Sequence, residues 1–367
     1  MLRQSLCAFL VAFAACLLQP FAFAGQFQIP VILPVGKHPS EVAVGNFNNI
    51  GGVDFAVTNT DDNTVSVYLG NGNNFFLKDT FTPGNRPVGI ATGFISPITK
   101  SDLVVANSMD DQVAVLKGDG RGNFNLKMDE PSGDNPHAVV LADVNMDGIA
   151  DIVVSNTNDA NVTVMLGNAD GSFGQGNNSV VGPNPIALVV TDLNCDGVPD
   201  IAAATAGASQ IGILFGQGDG TFQRARVFDV GLAPASIATG DFNGDGKAPD
   251  LAVANAKGNS FSILLNNCDQ TFTSAKNHPT SFAPKAIVAA DFNQDGKVDL
   301  ALADPVNNHV VLYPGNGDGT FGTGAAADAG QQPVFLAVTD FNVDGFPDLI
   351  AVDKAANSVA ILMNKAH

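Results

Sequence analysis

Five short segments of this 367-residue chain repeat one arrangement of oxygen atoms: each reads Asp-x-Asn-x-Asp-Gly, with a further Asp after it. Positions 1, 3 and 5 are Asp143, Asn145 and Asp147; Asp192, Asn194 and Asp196; Asp241, Asn243 and Asp245; Asp291, Asn293 and Asp295; and Asp340, Asn342 and Asp344. The glycine at position 6 permits a sharp turn, so the three side chains curl toward a common centre, which is the chemistry of a hard-cation cage. Position 7 offers a main-chain carbonyl, from Ile149, Val198, Lys247, Lys297 and Phe346. Position 9 offers another carboxylate, from Asp151, Asp200, Asp250, Asp299 and Asp348. The loop at Asp241 has one extra residue before Asp250, and its site is expected to be distorted. Asp, Asn and Gly also make good turns unaided; that explains one loop, not five with the same oxygen positions. About five structural calcium ions are therefore expected. No glutamate stands at position 12, so these are not EF-hands. No His or Cys cluster joins the oxygens, which argues against soft metals.

The elements that hold these loops follow from their spacing. The starts are separated by 49, 49, 50 and 49 residues, and a period of this length marks a repeat architecture. Two worn copies lie upstream. One keeps Asn46, Asn48 and Asp54 but places Ile50 at position 5; the other, Gly93-Phe94-Ile95-Ser96, keeps little but its place. Neither is expected to hold an ion. Seven units of about 49 residues account for residues 25–367. Within a unit the apolar runs are short, rich in Val, Ile, Leu and Ala, and bounded by Gly, Asn, Asp or Pro, as in Ala286-Ile287-Val288, Leu300-Ala301-Leu302 and Val310-Val311-Leu312. These are strand signals. The chain is therefore predicted to be all-β, a seven-bladed β-propeller with four strands per blade. The last unit stops before its fourth strand, while Gln26-Phe27 through Val31-Ile32-Leu33 forms an orphan strand at the other end, comparable with Thr221-Phe222 through Arg226-Val227-Phe228. That strand is expected to complete the seventh blade and close the ring, leaving no exposed edge. A monomer is expected.

Residues 1–24 read separately, as a cleaved leader: Arg3, an apolar run over 6–18, then Ala22-Phe23-Ala24. The run is too short for a membrane span, so the chain is expected to be secreted or periplasmic. Of its 36 acidic residues only Glu41 and Glu130 are glutamates, a bias toward turns and oxygen ligands. With only 17 basic residues, the chain is a poor partner for nucleic acid. Cys195 and Cys268 could pair in an oxidising compartment; two free thiols are the simpler expectation.

The motif apolar-apolar-x-x-Asp-Phe-Asn-x-Asp-Gly-x-x-Asp-Leu, seen almost entire at Asp291 and Asp340, resembles that of the FG-GAP, or VCBS-repeat, family. The resemblance covers residues 25–367. It implies a seven-bladed propeller like the integrin α-subunit head, with calcium in the loop between the first two strands of a blade. It also implies an extracellular setting, in adhesion or as a module beside other domains, including those of some carbohydrate-active enzymes. The first two units depart from the motif, and the calcium role does not extend to them.

Function is less legible. On the face opposite the acidic loops, the residues that break the repeat are Glu41, His137 and Lys285, where other blades carry small or apolar residues; they are the candidate ligand contacts. His38, His137, His278 and His309 fall at different offsets, and no nucleophile–base pairing is visible. Asp61, Asp62, Asp110, Asp111 and Asp159 read as solvated turn residues. A binding, adhesion or scaffolding module, engaging an extracellular protein or glycan, is therefore favoured over a polysaccharide lyase or hydrolase. The absence of Trp and the presence of two Tyr weigh against a lectin. If calcium pins the acidic turns, a chelator will lower the melting temperature strongly; an unchanged melting curve in chelator would contradict the calcium assignment.

Overall fold

The computed structural model describes residues 26–95, 100–247 and 249–365. The expected leader and residues 96–99 of the second loop lie outside that set. All elements among the described residues are strands, and they form seven four-stranded antiparallel sheets. Blade one comprises Pro39–Gly45, Asp54–Asn59, Thr64–Asn71 and Asn74–Phe81. The first strands of neighbouring blades lie side by side all round the ring, blade seven against blade one included. This is a closed seven-bladed propeller, with the first strands around the central channel.

The hydrophobic pattern explains which strands lie deepest. Every second strand, from Asp54–Asn59 to Asp348–Asp353, is buried along its whole length. These runs are apolar on both faces because each sheet is covered by a blade on either side. One such layer joins blades six and seven through Phe292, Leu312, Leu336, Leu349 and Leu362. The fourth strands, at the rim, are largely exposed.

Ring closure follows the sequence expectation. Val31–Pro34 pairs with Ser358–Leu362, Val31 opposite Ile361 and Pro34 opposite Ser358. Phe27 bridges Asn364 as Phe222 bridges Gly216 and Phe321 bridges Gly315. Gln26 is buried and donates to Phe292 O at 2.8 Å and to Asn364 Oδ1 at 2.9 Å. On the other face the closing step uses the same clasp as ordinary blade junctions. The His38 amide donates to Asn357 Oδ1, as Arg86 does to Asn63 and Gln332 to Asn308.

One alignment is corrected. In blade two the buried counterpart of Phe47 is Ile95, while Phe94 is 61% exposed. The worn copy, placed at Gly93 from the sequence, thus starts one residue later, at Phe94. Phe27 is buried edge-on against Phe292, with ring centroids 6.2 Å apart. Phe27→Ala is predicted to cost about 3 kcal/mol in urea-induced unfolding, the lower end of large-to-small core losses. A loss under about 0.5 kcal/mol, the size of an ordinary surface substitution, would mean that the N-terminal strand does not hold the ring shut.

Candidate functional site

Two regions carry chemistry: the acidic loops on one face and the channel mouth on the other. In the loop at Asp143, the carboxylate accepts the amides of Asp147 at 3.1 Å and Gly148 at 2.8 Å, and Asp147 accepts that of Ile149 at 2.8 Å. The loops at Asp192, Asp241, Asp291 and Asp340 use the same bonds from position 1 to the position 6 amide and from position 5 to the position 7 amide. The Asp241 loop, with its extra residue, keeps these two bonds and adds one that the other four lack, from the Gly244 amide to Asp241 Oδ1 at 2.7 Å. Position 4 lies in the left-handed region even without glycine, at Met146, Cys195, Gln294 and Val343.

The position 9 carboxylate does something the motif did not disclose. Asp151 is buried, and its oxygens accept the amides of Val144 at 2.9 Å and Gly167 at 2.8 Å. Asp200, Asp250, Asp299 and Asp348 form the same clamp. So does Asp54 in blade one, to Phe47 at 2.7 Å and Gly70 at 2.8 Å. Asp102 in blade two does so to Ile95 at 3.4 Å and Gly118 at 2.8 Å. The clamp thus exists in all seven blades, including the two whose loops lack the other ligands. Burial pushes Asp299 up to about 7 and Asp200 and Asp348 up to about 6, and the neighbouring loop carboxylates add to the rise. Among the described residues, no three His, Cys, Asp or Glu side chains meet closely enough to form a metal cluster. The donor set still suits a hard cation: positions 1, 3 and 5 supply oxygens, position 7 a carbonyl, and each clamping oxygen keeps a lone pair beyond its amide.

Blade two replaces the acidic loop with an internal cation. Lys117 follows the third-strand residue paired with Leu103. At that offset other blades have Leu69, Leu166, Phe215, Leu265, Pro314 and Met363. Its Nζ lies 3.6 Å from Asp102 Oδ2, in a side chain only 18% exposed, and has no hydrogen-bond partner among the described residues.

The expectation of two free thiols is corrected. Cys195, at position 4 of the blade four loop, is disulfide-bonded to Cys268 in the third-to-fourth-strand turn of blade five, 73 residues away. The position 4 residue faces the next blade's turn elsewhere too: a Cβ on Gly218 would meet Met146, and one on Gly244 would meet the Gly317 carbonyl. The bond makes that neighbour contact covalent at one junction.

On the opposite face, the three residues singled out as irregular converge. Glu41, His137 and Lys285 line one cavity of about 410 Å³ at the channel mouth. The cause is local. After the proline that opens the first strand in every blade but the sixth, pairing slips by a bulge, seen between Pro39 and Val42 and between Pro136 and Val139. Bulges re-aim side chains, here toward the channel. Glu41 Oε2 accepts the Ile90 amide at 3.2 Å and lies over Gly89, where a Cβ would come within 3.2 Å of it. Burial pushes the Glu41 carboxyl up to about 8, the Ile90 bond opposing it, and pushes the His137 imidazole down. Arg86, Lys354 and Phe335 complete the wall. Sequence reasoning missed these three. Their signal was positional: Arg86 precedes Pro87 as His38 precedes Pro39, and Lys354 follows its second strand as Thr60 does.

Asp61, Asp62, Asp110, Asp111 and Asp159 are exposed or partly so, but they are not merely solvated. Asp62 accepts the Lys37 amide, Asp110 that of Asn85, Asp111 that of Asn135 and Asp159 that of Asp134, and Asp61 pairs with His38. A further crevice of about 610 Å³ opens at the rim between blades five and six, lined by Phe261, His278, Phe282, Tyr313 and Phe321 with Asp304 and Asn307.

A family profile described as FG-GAP-like repeat matches residues 99–154, 147–203, 192–248, 247–302 and 291–351. No curated protein matches the sequence. Among solved structures, BBS1N in complex with ARL6DN is similar at a TM-score of 0.67 and 13% identity, covering 92% of this chain and 97% of that one. A lectin from Agrocybe aegerita that recognises non-reducing terminal N-acetylglucosamine gives a TM-score of 0.55 at 20% identity, covering 83% and 82%. Virginiamycin B lyase from Staphylococcus aureus with quinupristin gives 0.62 at 13% identity, covering 92% and 100%. At these identities the likeness is one of fold.

Lys117→Met is predicted to lower unfolding free energy by roughly 2 kcal/mol, below the ~3–5 kcal/mol for breaking a well-bonded buried pair, and by the same amount with or without chelator. Unchanged stability would show that Asp102 does not rely on this cation.

Proposed function

This chain belongs to the FG-GAP-like repeat family, and we propose from that premise that it is a secreted, calcium-stabilised binding module that takes its ligand at the channel mouth. One observation carries the reading: Glu41, His137 and Lys285, which stand apart from the repeat in sequence, line a single cavity.

The acidic loops are assigned a structural role. Asp143, Asn145, Asp147, the Ile149 carbonyl and Asp151 would hold one ion, and the corresponding residues of the next four loops would hold four more. The ions would offset about half of the formal net charge of −19 and relieve the repulsion among carboxylates that adds to the burial-driven rise at the clamping aspartates. Affinities on the order of 10⁻⁴–10⁻³ M would suit an extracellular setting. The leader-like residues 1–24 and the Cys195–Cys268 bond both favour an oxidising compartment. Similar propellers include one in complex with ARL6DN and one that recognises a sugar, which supports a partner of either class; an adhesion or scaffolding role is part of the proposal.

A second reading, a sugar-binding site at the rim, is favoured by the aromatic crevice between blades five and six. There His278 stacks on Phe261 at 4.7 Å and keeps a buried Nε2 with no partner among the described residues.

A glycan and surface-protein binding screen of the purified chain in calcium separates these readings. Binding that His137→Ala abolishes and Tyr313→Ala spares is the expected result. Loss with Tyr313→Ala alone would move the site to the rim, and turnover of a polysaccharide would replace a binding module with an enzyme.

A further inference from the structure

We infer that the channel mouth selects a hydroxylated carboxylic acid, the chemistry of a uronic acid residue; this deepens the proposed binding role and rests on it. The cavity gathers three cationic side chains, Arg86, Lys285 and Lys354, from a chain with only 17 Lys and Arg. Its one acidic lining residue, Glu41, has an oxygen held on the Ile90 amide and lies against Gly89. Asp111 and Asp134 line an adjoining cavity with Arg86 and His137, so anionic charge on a ligand would meet its cations chiefly at Lys285 and Lys354. The acidic loops lie on the opposite face, and at physiological salt their field is screened within about 8 Å.

The rest of the wall narrows the class. Ser40 Oγ donates to Val88 O at 2.8 Å, and Thr60 Oγ1 donates to Pro87 O at 3.0 Å. Ser236 Oγ is turned to Ile287 O and accepts the Ile287 amide. Ser40 Oγ also lies 2.8 Å from Thr58 Oγ1 and 3.1 Å from Thr60 Oγ1, which leaves Thr60 and Ser236 with acceptor lone pairs that suit a ligand bringing O–H donors. Val88, Ile186, Val334 and Phe335 supply apolar surface for a ring face. A peptide C-terminus would bring the carboxylate but not the row of hydroxyl donors. A neutral sugar would bring the donors and leave the cations without a partner.

Titration calorimetry of the full chain in calcium, with D-galacturonate, D-galactose and N-acetylalanine as probes, tests the inference. The substitutions are Lys285→Gln with Lys354→Gln, both at exposed side chains, and the melting temperature confirms that the variant is folded. Saturable galacturonate binding is expected, about ten-fold or more tighter than either other probe, a difference of ~1.4 kcal/mol. The double variant is expected to lose at least that factor. Equal binding of galactose, with the double variant still impaired, would overturn the anion class and leave the channel-mouth reading standing. Tighter binding of N-acetylalanine would overturn the sugar-acid assignment in favour of a peptide terminus. Galacturonate binding that the double variant leaves unchanged, or no saturable binding of any probe, would overturn both.

Discussion

A carboxylate stands at the first residue of every second strand, buried, with its two oxygens taken by main-chain amides from two different segments. One amide belongs to position 2 of the preceding loop, the other to the end of the third strand, as with Asp54 between Phe47 and Gly70. The position 2 side chain is the plug between blades: Phe47, Ile95, Val144, Leu193, Phe242, Phe292 and Phe341 are all buried. The clamp therefore sets three things together: where the second strand starts, where the third ends, and how deep the plug sits. Hydrogen bonds to an ionised acceptor are stronger than neutral ones, and a buried carboxylate left without them carries a large desolvation cost. Seven blades meet this requirement, although only five have loops rich in further oxygen ligands.

The charge on the clamp then needs an answer, and the blades differ in the one they give. Five surround it with a loop whose acids raise its proton affinity and whose oxygens suit a hard cation. Blade two sets Lys117 beside it. Blade one relies on amides alone, with Ile50 where a ligand would be. On the proposed reading, ion binding is a layer added to a framework that the clamp already defines. At one junction a disulfide also fastens the loop layer, joining Cys195 to the next blade.

The period of the aspartate loops was enough to read the blade count, the strand order and the closing strand, because each blade must repeat the same buried second strand and the same turn. The clamp was not legible: the ninth-position aspartate fits a ligand pattern and a strand-capping pattern equally well, and only the third-strand amide, 16 residues away as in Asp151 to Gly167, distinguishes them. In the second loop the plug is Ile95 rather than Phe94, a choice that the worn segment, having lost its ligands, did not disclose. At the channel mouth, Glu41, His137 and Lys285 were visible as departures from the repeat. Arg86, Lys354 and Phe335 were not, since they sit at offsets where several residue types occur and come from different parts of the blade: before the first strand, after the second, and at the bulge after Pro333.

The most direct test of the framework is the unfolding free energy of Asp54→Asn, measured in calcium and in chelator. Asparagine preserves the shape but turns one amide toward another donor. Leaving a buried donor unsatisfied costs about 1–3 kcal/mol, and that loss should be the same in both conditions because blade one's clamp does not depend on an ion. A loss that appears only in calcium, or no loss in either, would contradict the view that the carboxylate clamp holds each blade.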